Sequence, residues 1–477
     1  MHPIRIALYI LIVLGLLLLV SVFSSSVNND NTTTGIELPG MVLKYPTTAG
    51  FLNEKKQEVN LLADSIVHAI EAVLPTEEFI PSIPDFSKTD TNRLVYISWP
   101  DDRNAFIGRL NEYFNSGRCR ILHYGDSQLE GDRISGYLRN RLQGIYGGSG
   151  PGFLPIKQVY HQLAAEIIAT DNWLRYALFD PTQAKLPDMN YGVYASVSRF
   201  TPLMNAKDSA MMPGLPLESA GITIRPSAKS FNRLKQFNRI GLHYGNATTP
   251  VEIAIFVNGE LLKESHLIAD GAYHCFEIKT GTTPNEVHIE LAGTVSPDFY
   301  GITLDGENGI QLDNIAMRGA SGTIFSRMNA SSFSSMAAKL DPKIVILQYG
   351  GNTVPYIKDS LGIINYTRYL SGHIHWLCKR MPESVFLFIG PGDMSCLTDG
   401  NYVTYPLLPY LDEQLKRSCL ANKVAYWSMF EAMGGQNSMR YWVEQGLAAS
   451  DYTHFLPKGS RIISEHFFNA LYLDLNR

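Results

Sequence analysis

The stretch ILHYGDSQ at 121–128 constrains this chain more than any other. Its apolar, partly β-branched start predicts a short buried strand, and Gly125-Asp126-Ser127 predicts the tight turn that closes it. Beyond Leu129, the residues Ile134, Leu138 and Leu142 recur four apart, the mark of one helix face. Strand, turn and helix around one serine set a hydroxyl at the carboxyl edge of a sheet, with a helix N-terminus just behind it. Backbone N–H groups beside such a serine can hold a developing oxyanion. Alone, a Gly-Asp-Ser turn is more often a simple helix cap.

The C-terminus changes that balance. Ser450-Asp451-Tyr452-Thr453-His454 precedes Pro457 and a final amphipathic helix carrying Ile462, Ile463, Phe467, Leu471 and Leu473. A carboxylate three residues before a histidine can lie in the same turn and orient its imidazole. The imidazole is then free to take a proton from a serine arriving from elsewhere. The order Ser…Asp…His is one of several in which this constellation occurs. Ser127, Asp451 and His454 are therefore the candidate catalytic residues.

Gly125-Asp126-Ser127 resembles the first block of the SGNH (GDSL) hydrolases, and Asp451-x-x-His454 resembles their last. Between them, NIAMRGA at 314–320 looks like the glycine block and IVILQYGGN at 344–352 like the asparagine block, in the order that family has. The resemblance implies an α/β fold, a three-layer α/β/α sandwich on a parallel sheet. It implies Ser127 as nucleophile, His454 as general base and acid, and Asp451 as the group that fixes the imidazole. The oxyanion hole would be the backbone N–H groups of Ser127 and Gly319 with the side-chain amide of Asn352. Gly322 competes with Gly319 for that place, and Asn352 alone reads as a turn residue after Gly350-Gly351. His123 and Asp126 are expected to be structural.

At 477 residues the chain exceeds one usual domain. A formal charge of −5 gives no reason to expect a nucleic-acid partner. Ile6 to Phe23 is a continuous apolar run behind Arg5, so residues 1–25 read as a signal anchor or signal peptide. The expected location is exported: periplasmic, or membrane-anchored facing the periplasm or cell exterior. Residues 26–92 read as a tether and an N-terminal helix, the latter over 53–74 with Val59, Leu62, Ile66, Ile70 and Val73 on one side. The hydrolase domain would occupy 93–159 and 311–477. Five scattered cysteines have neither the spacing of a disulfide framework nor that of a metal site, and no metal or cofactor is expected.

The segment at 160–310 changes character. Gly221 to Arg225, Glu252 to Val257 and Val287 to Leu291 are rich in β-formers, and Asn258-Gly259 is a strong hairpin signal. This predicts an inserted all-β, jelly-roll-like sandwich. After it, strands at 343–349, 385–389 and 424–427 alternate with helices at about 328–340, 358–380, 406–421 and 459–475, the pattern of a parallel sheet flanked by helices. The glycine-rich run at 147–153 lacks the Lys-Ser/Thr of a phosphate loop and is expected to wall the cleft.

GDSQ, the glycine-rich run, an inserted β domain and export together resemble bacterial peptidoglycan O-acetylesterases. The resemblance implies removal of O-acetyl groups from a carbohydrate partner, cell-wall glycan first. An SGNH-type O-acetyltransferase or an esterase of another acetylated glycan is the alternative. A membrane-tethered glycan-binding protein with an inactive hydrolase domain is the third.

Overall fold

A computed structural model describes residues 8–16, 33–38, 41–46, 60–71, 83–88, 91–160, 162–204 and 214–476. The chain divides into two units, Met1–Val59 and Asn60–Arg477. In the first, residues 8–16 are helical, and strands Thr33–Leu38 and Met41–Pro46 pair as an antiparallel hairpin. The rest of the apolar run from Ile6 to Phe23 lies outside the described residues. No described helix is long and apolar enough to cross a membrane.

The second unit is built on five parallel strands: β1 (Arg118–Gly125), β2 (Gly309–Ala316), β3 (Pro342–Gln348), β4 (Val385–Ile389) and β5 (Ala425–Trp427). Their spatial order is β2-β1-β3-β4-β5, a doubly wound arrangement with a switch point beside β1. Alternation of side chains makes it a three-layer structure. Ile121, Ile344, Ile346 and Leu387 face one core, shared with the helices at Leu61–Glu71 (α1), Arg103–Asn115 (α2), Arg133–Tyr146 (α3) and Pro457–Leu475 (α7). Leu122, Val345, Leu347 and Phe388 face the other, shared with Ala330–Leu340 (α4), Ser360–Arg380 (α5) and Leu408–Ala421 (α6). Strands buried on both faces explain why these segments read as unbroken apolar runs.

Antiparallel strands between Gly152 and Asp305 form two facing sheets, of five and six strands, around a core that includes Ile222, Ile253, Ile289, Leu242 and Ile302. The turn at Asn258-Gly259 joins Val251–Val257 to Glu260–His266, and both turn residues have positive φ, 51° and 86°. That left-handed pair is what Asn-Gly supplies at little steric cost. An α/β/α sandwich with an inserted β domain is thus the fold of this unit.

Two expectations need correction. The N-terminal helix α1 buries Ala63, Ile66, Val67 and Ile70, while Leu62 is 60% exposed; Val59 and Val73 lie outside the described residues. The glycine-rich run does not wall the cleft. A Cβ at Gly148 would lie 2.6 Å from the Ile310 backbone, and one at Gly152 would lie 2.4 Å from the Leu312 carbonyl. These glycines let the loop press on the amino-terminal half of β2, away from Ser127. All five cysteines are free thiols, of which Cys119 and Cys419 are buried.

Candidate active site

Strand β1 ends at Gly125 because the next turn folds back against it: a Cβ there would stand 2.6 Å from Leu129 Cδ1. Asp126 accepts the Gln128 amide at 3.0 Å, and Ser127 begins a short 3₁₀ segment. Arg133, at the start of α3, donates to the carbonyls of Ser127 (3.0 Å), Glu130 (2.9 Å) and Phe455 (3.2 Å). One guanidinium therefore ties the serine turn to the loop that carries the histidine. Gln128 adds a second tie, donating to the Thr453 carbonyl at 2.7 Å.

The histidine loop has its own scaffold. Asp451 Oδ1 accepts the backbone N–H groups of Thr453 and His454, both at 3.0 Å. Its Oδ2 lies 2.8 Å from His454 Nδ1. Burial works to raise the Asp451 pKa, but the His454 amide, its imidazole and the Thr453 amide outweigh it and hold the carboxyl below its ordinary value. Tyr452, at φ 54°, stacks on Tyr402 of the hairpin formed by strands Ser395–Thr398 and Asn401–Thr404, with centroids 3.6 Å apart, which braces the turn.

Across 327 residues of sequence, His454 Nε2 meets Ser127 Oγ at 2.8 Å. With Nδ1–H donating to Asp451, Nε2 carries the lone pair and accepts the serine proton. The structure thus brings Ser127, His454 and Asp451 into one chain of hydrogen bonds, with a cavity of about 60 Å³ beside them. Asn352 and Asp126 line the same cavity.

Asn352 follows β3 on a 3₁₀ turn whose approach needs Gly350: at φ 124°, a Cβ there would stand 2.9 Å from Pro391. Its amide nitrogen donates to Asp126 Oδ2 and to the Ala320 carbonyl, both at 3.1 Å. Both amide hydrogens are thereby engaged, so an incoming oxyanion would have to share them. Gly319 sits at φ 76° in the turn after β2, with open space where its Cβ would be. Gly322 is different: a Cβ there would lie 2.9 Å from Tyr349 and Leu370, so its role is close packing. Gly319 is not among the residues lining the cavity; its neighbour Arg318 pairs with Glu130, three residues after Ser127, through two hydrogen bonds at 2.5 and 2.6 Å.

His123 is buried between Gln348 and Ser135, and burial lowers its pKa to about 3, which keeps it neutral. Asp126 is also buried, and desolvation raises it to about 6. Its structural part is specific: Oδ2 accepts the Asn352 amide. Arg133 and Tyr402 carry no motif signal, and only their positions in the fold identify them; Gln128 belongs to the GDSQ run, but its tie to Thr453 shows only in the fold.

No protein-family model matches the chain, and no curated protein does. Among solved structures, one described as a peptidoglycan O-acetylesterase in action superposes with a TM-score of 0.60 at 20% identity, over 80% of this chain and 99% of that one. This agreement is in fold. The shared fold is an α/β/α sandwich carrying an inserted β domain. A family two carbohydrate esterase from Clostridium thermocellum with cellohexaose reaches a TM-score of only 0.26 at 12% identity, over 55% of this chain and 96% of that one. An acetyl xylan esterase reaches 0.27 at 14% identity, over 34% and 81%. Overlaps so low carry no argument.

Proposed function

We propose that the protein is an exported serine esterase that removes O-acetyl groups from a carbohydrate, cell-wall peptidoglycan first. The observation that carries the reading is the Ser127–His454–Asp451 hydrogen-bond chain, 2.8 Å at each link, at the carboxyl edge of a parallel sheet. The small cavity beside it suits an acetyl group better than a long acyl chain. The fold it shares with a structure described as a peptidoglycan O-acetylesterase is the ground for naming the glycan. Export rests on the N-terminal apolar run.

In this mechanism Ser127 Oγ attacks the acetyl carbonyl carbon while its proton passes to His454 Nε2. Asp451 keeps the imidazole in the tautomer that can accept it and stabilises the imidazolium. The carbonyl oxygen becomes an oxyanion near the Ser127 N–H, with Gly319 N–H and Asn352 Nδ2 as the further donors. The bond between the acyl carbon and the sugar's oxygen then breaks, and His454 gives its proton to that departing oxygen, which leaves as the sugar hydroxyl. Water repeats the sequence on the acyl-enzyme: His454 takes its proton, acetate leaves, and Ser127 recovers its hydrogen. Acetate release from O-acetylated peptidoglycan, compared with acetylated xylan, tests the substrate. Equal rates in the native protein, Ser127→Ala and His454→Ala would overturn the mechanism.

A further inference from the structure

Two turns must stand in register for backbone donors to meet at one oxyanion: the turn after β1, which carries the Ser127 N–H, and the turn after β2, which carries the Gly319 N–H. Among the described residues no acceptor is seen for either N–H, so both are available to a developing charge. The two strands are bound to one another beneath these turns. Met317 N–H donates to the Gly125 carbonyl at 2.8 Å, and Asn314 Nδ2 donates to the Leu129 carbonyl at 3.0 Å. Past Met317 the second turn leaves the sheet. There the Arg318 guanidinium takes both oxygens of Glu130, Nε at 2.5 Å and Nη2 at 2.6 Å.

The backbone around Glu130 is shaped for that contact. Ser127 to Leu129 begin a 3₁₀ turn, but Glu130 leaves it at ψ 144°, and Gly131 and Asp132 follow at φ 68° and 64°. A left-handed aspartate is strained. Arg139 clamps its carboxylate through two hydrogen bonds, 2.6 and 3.1 Å. The break delays α3 to Arg133 and leaves the Glu130 carboxylate facing the β2 turn. That side chain is 13% exposed against 66% for Arg318, so the carboxylate is the fixed half of the pair. A bidentate fork sets distance and plane together, which a single point charge cannot. We infer that the Arg318–Glu130 pair is a positioning device, holding the Gly319 turn where its N–H and that of Ser127 converge on one oxygen. Neither side chain lines the Ser127 cavity. This role rests on the esterase reading above and adds the residues that keep the oxyanion donors in place.

The test is steady-state hydrolysis of 4-nitrophenyl acetate by the full chain, with inhibition by methylboronic acid, whose adduct on a serine is a tetrahedral anion. Glu130→Gln, Arg318→Lys and the double variant Glu130→Gln/Arg318→Gln are compared with the native protein and with Ser127→Ala. Each single variant should lower kcat about ten- to a hundredfold with KM held within about twofold, the cost of a donor displaced by about an ångström. Boronate affinity should fall in parallel. The double variant should lose no more than either single one. The thermal midpoint should stay close to native, because an exposed pair adds little to stability.

A native kcat in both single variants would overturn the proposal. So would a rise in kcat for Glu130→Gln, which would mean that Arg318 acts on the oxyanion through its unmasked charge. A loss of thermal midpoint large enough to account for the lost activity would reduce the pair to a structural tie and overturn it too. If Ser127→Ala hydrolyses the ester as fast as the native protein, the esterase reading fails and this role with it. A dead Ser127→Ala beside a native Glu130→Gln removes this role alone.

Discussion

At its carboxyl end the parallel sheet presents a half-exposed carboxylate, Asp451, aligned by amides and free to respond to the imidazole beside it. At its amino end the same sheet buries a guanidinium, Arg120, against Asp313 at 2.7 Å and Asp305 at 2.5 Å, all of them almost wholly inaccessible. The first arrangement allows a proton to move. The second allows nothing to move, and it joins β1 and β2 to the strand Asp298–Asp305 of the inserted domain. Tyr194 and the Phe153 amide, also from the inserted segment, close on the same Asp313. One sheet therefore keeps its reactive charges at a wet edge and uses dry ones as a joint between domains.

Substitutions at the two ends should separate these roles. Ser127→Ala is expected to lower acetate release by about 10⁴-fold or more while leaving the unfolding midpoint close to native; an unfolding shift of similar weight to the activity loss would erase the distinction. Arg120→Met should do the reverse. It strands two buried carboxylates, so urea unfolding should show a loss of about 3–5 kcal/mol, with turnover per folded molecule kept.

Asn352→Ala lies between. As one oxyanion donor it should cost about 10²–10³-fold in kcat. Because Asp126 also loses a partner, the cost should come with a modest loss of stability in the same denaturation assay. A kcat within a factor of about two of native would remove Asn352 from the chemistry.

The smallest effect concerns pH. Asp393, buried beside the Ser127 cavity, is raised by desolvation from an ordinary 3.8 to about 6. Folding therefore favours its neutral form. That contribution is whole below pH 3.8, erodes as pH rises toward 6, and is gone by pH 7. The thermal midpoint of the native protein, minus that of Asp393→Asn, should accordingly fall between pH 4 and pH 7. A difference flat across that range would show that burial of Asp393 carries no such cost.

Much of this was legible in the sequence, residue by residue. Ile121 to Leu142 folds as strand, turn and helix, as its spacing predicts, although a 3₁₀ segment at Ser127–Asp132 precedes the helix proper. The strands near 343–349, 385–389 and 424–427 appear within a residue or two. The composition of the glycine-rich run shows that backbone must approach something closely but not that the partner is β2. At Leu62 a four-residue spacing leaves two adjacent helix faces open, and packing decides between them.

Periodicity, turn chemistry and the Asp-x-x-His spacing act over a few residues, so they suffice to specify the strands, the Gly-Asp-Ser turn and the carboxylate that can orient His454. That His454 reaches Ser127, that Arg133 locks their two loops together, and that Asp126 holds Asn352 follows from how the chain folds back on itself. The same folding places Arg120 between two domains. These are contacts between distant segments, and burial makes them specific: a polar group withdrawn from water takes the partner that the surrounding packing leaves within reach.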